Sequence, residues 1–134
     1  MYLLDTNILS YLFQGNLKVA SKLESIEQQK LATCALVVAE LFYGAKNAPT
    51  KNRQIELKDF YENLIYDLKV FNFDTQSAII FADLKHLRIK TGKIIGDFDL
   101  MISSICLHNN LILVTNNLKD FEHIPKLQLE NWTE

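Results

Sequence analysis

No apolar run in this 134-residue chain approaches the roughly 20 residues that a membrane-spanning helix needs. Nor does a basic stretch lead into an apolar segment at the N-terminus, where Asp5 interrupts the first apolar run almost at once. These absences predict a soluble, cytoplasmic protein with no membrane partner. Cysteine is scarce: Cys34 and Cys106 stand in apolar surroundings without CxxC or Cys/His ligand spacing, so they read as buried thiols, not zinc ligands. His86, His108 and His123 are scattered, with no pairing that suggests a proton relay. Excess positive charge is also missing. The net charge of −2 does not announce a nucleic-acid binder, since a domain covered in Lys and Arg would be basic overall. No repeat, low-complexity tract or linker divides the chain, and its 49% hydrophobic content suits one domain, residues 1–134, burying roughly two thirds of its unfolded surface.

What is present is a regular alternation. Short apolar segments at 2–4, 31–34, 69–73 and 111–115 read as strands, with a last one near 127–129. Between them, helices are predicted over 6–13, 17–29, 36–46, 51–66, 75–91 and 97–109, with Gly15-Asn16 and Asn47-Ala48-Pro49 as breaks. Apolar strands alternating with helices predict an α/β fold whose parallel sheet is covered on both faces. Ligands of such sheets sit beyond the carboxyl ends of the strands, where Asp5 and Asn116-Asn117 both fall.

Polar islands in apolar stretches carry the chemistry. An ionised carboxylate against apolar surface is costly unless paired or bound to a cation, so recurring isolated acids suggest a hard-metal site. Asp5 suits the N-cap of the first helix and could also give one oxygen to a metal. Glu40 is the only carboxylate between Leu31 and Ala45, and its helical neighbours Leu36, Val37, Tyr43 and Gly44 are not charged. Asp97 after Gly96 fits an N-cap, which puts Asp99 in the first turn as the better ligand. Ser103, one turn on, either holds a ligand water or simply faces the core. Asn116-Asn117 reads as a turn or as part of a polar site. Carboxylates without His or Cys favour Mg²⁺ or Mn²⁺, and hence phosphoryl chemistry. Lys85, Arg88, Lys90 and Lys93, with no acid among residues 85 to 93, could steer phosphates toward that site or merely complement a helix C-terminus closed by Gly92.

At these residues the chain resembles the PIN-domain ribonucleases, and within them the VapC toxins of bacterial toxin–antitoxin pairs. The matching pieces are LLDTN at the start, VVAELFYGA at 37–45, GKIIGDFDLMIS at 92–103, LVTNNLKDF at 113–121 and LQLENWT at 127–133. Their order and spacing together carry the likeness. It implies an acidic triad of Asp5, Glu40 and Asp99, Asn117 in a fourth polar slot often filled by Asp, and Thr6 and Asn7 as companions of the first acid. Asp97 is an extra acid where many relatives have none, and Asn117 removes one charge from the pattern. The likeness further implies a three-layer α/β/α sandwich, a homodimer, and a VapB-type antitoxin whose tail occupies the acidic groove in a larger assembly.

The leading expectation is therefore a type II toxin: a Mg²⁺- or Mn²⁺-dependent endoribonuclease acting on RNA, for which a structured target such as an initiator tRNA fits the enteric relatives. Two rivals stand beside it. One is a phosphorylatable, Mg²⁺-binding receiver domain, which would need a second acid beside Asp5 and a Lys after VTNN. The other is a PIN-like module that binds RNA or protein without catalysis.

Overall fold

Leu3 and Leu4 are adjacent in one strand and both fully buried, so the two faces of that strand are covered. The computed structural model describes residues 1–92 and 94–134; the expectation for Lys93 lies outside the described residues. In chain order the elements are β1 (Tyr2–Leu4), α1 (Thr6–Phe13), α2 (Leu17–Glu24), a 3-10 turn (Gln28–Lys30), β2 (Leu31–Cys34), α3 (Ala35–Lys46), α4 (Lys51–Asp67), β3 (Lys69–Phe71), α5 (Thr75–Thr91), α6 (Asp97–Asn109), β4 (Ile112–Val114), α7 (Leu118–Phe121) and β5 (Gln128–Glu130). The five strands form one sheet of order β3-β2-β1-β4-β5, parallel throughout. The expected parallel α/β architecture is thus observed. Its strand order differs from the 2-1-3-4-5 arrangement of flavodoxin-like receiver folds, which removes the receiver reading.

Leu3 sits opposite Ala32 on one side and Leu113 on the other. Around it Ile8, Leu9, Val19, Val37, Leu100, Ile102, Ile105 and Phe121 complete a continuous core. Each such side chain contributes roughly 1.5–3 kcal/mol relative to exposure, which offsets the entropy of ordering strands this short. Thr33 is the polar exception in β2, and its hydroxyl donates to the Leu4 carbonyl at 3.0 Å. Both cysteines are buried, as expected.

Several boundaries differ from expectation. The second helix stops at Glu24, not 29, because the Ser25 hydroxyl donates to the Lys22 carbonyl at 2.7 Å and the Ser25 N–H turns back on the same turn. The third strand ends at Phe71, where its partner β2 ends at Cys34. The four-residue α7 was not expected at all. Gly92 does close α5, at φ 70, a left-handed conformation that glycine adopts without strain. Among the described residues no helix is long and apolar enough to cross a membrane.

What the topology does for chemistry follows from its winding. The chain runs outward from β1 through β2 to β3, then returns to β1's other side for β4 and β5. The order therefore reverses between β1 and β4, and the crevice past their carboxyl ends is where such sheets place ligands.

Candidate active site

Asp5 is the first residue past β1, and its N–H donates to the Val114 carbonyl at 3.0 Å, extending the pairing with β4 by one step. Its backbone is extended and it caps α1, but only through the Thr6 N–H, which donates to Oδ1 at 2.8 Å. Oδ2 receives the Thr115 hydroxyl at 2.9 Å and Asn7 Nδ2 at 3.2 Å. Three donors thus fix a carboxylate that is only 6% exposed. Burial still dominates and raises the Asp5 pKa, with the Thr115, Thr6 and Asn7 hydrogen bonds opposing it. Oδ1 accepts from Thr6 alone among the described donors and so keeps a lone pair for a cation.

Thr115 was overlooked by sequence reasoning. It is fully buried at the end of β4, donates to Asp5, and accepts from Asn7 Nδ2 and the Asn117 N–H, both at 3.1 Å. A hydroxyl offers one donor and two acceptors, and all are used here. In the sequence it closes an apolar strand and lies inside LVTNNLKDF, but neither signal assigns it a role of its own. Asn7 accepts the Asn116 N–H at 3.0 Å on its other end, so the first motif and the loop after β4 interlock.

Glu40 reaches the same place from α3, which packs against both α1 and α6. The Thr6 hydroxyl donates to Glu40 Oε1 at 3.0 Å. Burial raises the Glu40 pKa first; the Thr6 bond opposes it, and the Asp5 charge adds to it. Asp99 stands in the first turn of α6, and its pKa is pushed up to about 6 by burial, then by Asp5, Asp120 and Glu40 in that order. Every contributor that raises Asp99 is desolvation or another acid. The three expected acids therefore share one electrostatic neighbourhood, and Asp120 joins it. Asp120 lies inside LVTNNLKDF, where one more acid beside Lys119 carries no signal of its own; it accepts a hydrogen bond from Asn117 Nδ2.

Other expected residues sit differently. Gly96, not Asp97, is the N-cap of α6, and Asp97 is its first helical residue with no capping bond. Its carboxylate instead pairs with Lys85 at 3.2 Å and Arg88 at 3.1 Å, and these cations lower its pKa. Arg88 also donates to the Ile95 carbonyl. Two members of the basic segment are thus engaged by Asp97, while Lys90 lies exposed on the last turn of α5. Ser103 is buried and donates to the Asp99 backbone carbonyl at 2.7 Å, so its proton serves the helix and not a ligand water. Asn117 is the residue before α7, without a side-chain cap.

The donors present are compatible with a hard divalent cation: Thr6 ties the Asp5 and Glu40 carboxylates together, and Asp99 is raised by both of these acids, a repulsion that a cation would relieve. Among the described residues, no three Asp, Glu, His or Cys side chains stand close enough to cage an ion unaided. A divalent cation that keeps several of its waters needs only one or two carboxylates directly.

Comparison with known proteins bears on this arrangement. The PIN domain family profile matches residues 2–127. The chain is 33% identical to the ribonuclease VapC2 of Haemophilus influenzae, over 98% of this chain and 97% of that one. It is 28% identical to the tRNA(fMet)-specific endonuclease VapC of Salmonella typhimurium, over 98% and 97%. Among solved structures, VapBC2 from Rickettsia felis bound to a promoter DNA fragment superposes with a TM-score of 0.88 at 32% identity, covering 98% of both chains. VapBC-1 from nontypeable H. influenzae gives 0.84 at 30%, covering 99% and 98%.

Proposed function

The chain belongs to the PIN domain family, and from that premise we propose that it is a toxin endoribonuclease, the VapC-type half of a type II toxin–antitoxin pair. The observation that carries this reading is the bridging of Asp5 and Glu40 by Thr6 at the switch point of the sheet, with Asp99 in the first turn of α6 raised by both acids. A binding module gains little by setting acids within electrostatic reach of one another before a polyanionic ligand, whereas a metal-dependent phosphodiesterase uses them.

In this reading Asp5, Glu40 and Asp99 would hold Mg²⁺ or Mn²⁺, with Asp120 and Asn117 at the margin. Such an ion would supply an activated water and neutralise charge developing on the phosphate. The protein's own part is orientation. Thr6, Asn7 and Thr115 lock the Asp5 carboxylate, and Thr6 also turns Glu40 toward it. No covalent nucleophile is needed.

The substrate is RNA, cut in the cytoplasm, and a structured RNA such as tRNA matches the specificity named for the Salmonella relative. A VapB-type antitoxin is the partner, as in the neighbouring VapBC structures, and the toxin works as a homodimer within the larger complex. The test is cleavage of total RNA by purified protein with Mn²⁺. Asp5→Asn, Glu40→Gln and Asp99→Asn should each reduce it by at least about a hundredfold while circular dichroism stays unchanged. Full activity in all three would refute the mechanism, and a wild-type protein that binds RNA but neither cleaves it nor responds to Mn²⁺ would establish a silent PIN-like module instead.

A further inference from the structure

Tyr11 lies one helical turn beyond Asn7 on α1, and both side chains reach the same residue in the loop after β4. Asn116 Nδ2 donates to the Tyr11 hydroxyl at 2.9 Å, and the Asn116 N–H donates to Asn7 Oδ1 at 3.0 Å. Asn7 Nδ2 passes the connection on to Asp5 Oδ2 and Thr115 Oγ1. The loop is therefore pinned to α1 at two points, one through backbone and one through a side chain. Immediately beyond the pinned residue come Asn117 and then Asp120.

We propose that Tyr11 is a positioning residue for the acidic site, acting through Asn116 on Asn7 and Asp5 and on the loop that leads to Asp120. The inference rests on the reading of that site given above. Two features make the phenol suited to the task. Its ring packs against the core, so the hydroxyl is presented from a fixed body and not from a freely rotating chain. A Tyr oxygen can accept from the amide while the ring fills apolar space, which neither Phe nor Ser combines. Were Tyr11 only a packing residue, Phe would replace it without consequence. Asn116 Nδ2 has the Tyr11 oxygen as its described partner, so removing that oxygen frees the amide to rotate and loosens the register of Asn7 against Asp5.

The experiment compares the full-length wild type, Tyr11→Phe, Asn116→Ala and the double variant, by calorimetric titration with Mn²⁺ alone and by steady-state cleavage of an RNA oligonucleotide. Tyr11→Phe is expected to weaken Mn²⁺ binding and lower kcat by about threefold to tenfold, with KM unchanged. Asn116→Ala should produce a loss at least as large, and the double variant should lose no more than the worse single, because both act through one link. Wild-type Mn²⁺ affinity and kcat in Tyr11→Phe, or losses that simply add, would overturn the proposal. A wild-type protein that binds Mn²⁺ but cuts no RNA would sink the nuclease reading alone, since the titration still decides for or against Tyr11. Absence of Mn²⁺ binding in the wild type would overturn both.

Discussion

The Thr6 hydroxyl donates to Glu40 Oε1 at 3.0 Å across 34 positions of sequence, while the N–H of the same residue donates to Asp5 Oδ1 at 2.8 Å. One residue thus sets the relative orientation of two acids that arrive on different elements. Both bonds favour the ionised carboxylates and oppose the effect of burial.

Thr6→Val keeps the shape of the side chain and removes only its bond to Glu40. Glu40 then loses the interaction that favours its charged form, and its pKa rises further. Mn²⁺ affinity should fall about tenfold, as for other partners of metal-binding side chains, whereas Thr6→Ser should bind nearly as the wild type does. Titration calorimetry separates the two. Equal behaviour of Val and Ser would show that the hydroxyl is idle.

Asp97 and Asp99 are two residues apart, yet their surroundings are opposite. Lys85 and Arg88 hold Asp97 ionised, and other acids with burial push Asp99 toward protonation. Asp97→Asn should keep RNA cleavage near the wild-type rate, while Asp99→Asn abolishes it. Because Asp97 occupies Lys85 and Arg88, its replacement also frees two cations. The slope of log KM against log salt should steepen by about one for each further phosphate that the freed cations neutralise. An unchanged slope would leave Lys85 and Arg88 with no part in RNA binding.

Much of this was legible before any coordinates. Buried parallel strands announce themselves as short apolar runs, and β1 and β2 fall where YLL and LATC stand. Glu40 stood out for the complementary reason, as the only carboxylate on a largely apolar helix. Asp120 and Thr115 did not. A surface-looking acid and a strand-end Thr acquire meaning only once β4 lies beside β1, a pairing more than a hundred positions apart in sequence. The cap of α6 was misread because Asp outranks Gly as an N-cap by only a few tenths of a kcal/mol. Asp97 instead pairs with Lys85 and Arg88.

Leu113 is fully buried between β1 and β5, two residues before Thr115. Leu113→Ala should cost about 2–5 kcal/mol in urea denaturation through the cavity it leaves. Cleavage per folded molecule should stay near the wild-type value, since the Thr115 hydrogen bonds belong to the strand end and not to the core. A specific-activity loss exceeding the unfolded fraction would show that strand packing tunes Asp5 directly.

The coupled acids also make stability depend on pH, and the sign can be worked out. In the unfolded chain an Asp titrates near 4, whereas Asp99 in the folded protein titrates at about 6. Between these values the folded state holds the extra proton, so the stabilising contribution is complete below about pH 4 and disappears as pH rises through 6. Asp5 and Glu40 are raised as well and act in the same direction. Metal-free protein should therefore melt at a lower temperature at pH 7 than at pH 5, contrary to the usual behaviour of ion-paired carboxylates. Mn²⁺ binds the ionised form, so at a hundredfold excess over Kd it should return about 2.7 kcal/mol at pH 7 and progressively less toward pH 5. Thermal melts with and without Mn²⁺ at both pH values provide the check. Asp99→Asn, which cannot ionise, should flatten much of the pH dependence and raise the metal-free midpoint at pH 7. A variant that instead melts lower there would mean that Asp99 makes a stabilising contact in its charged form, and the repulsive cluster would lose its principal support.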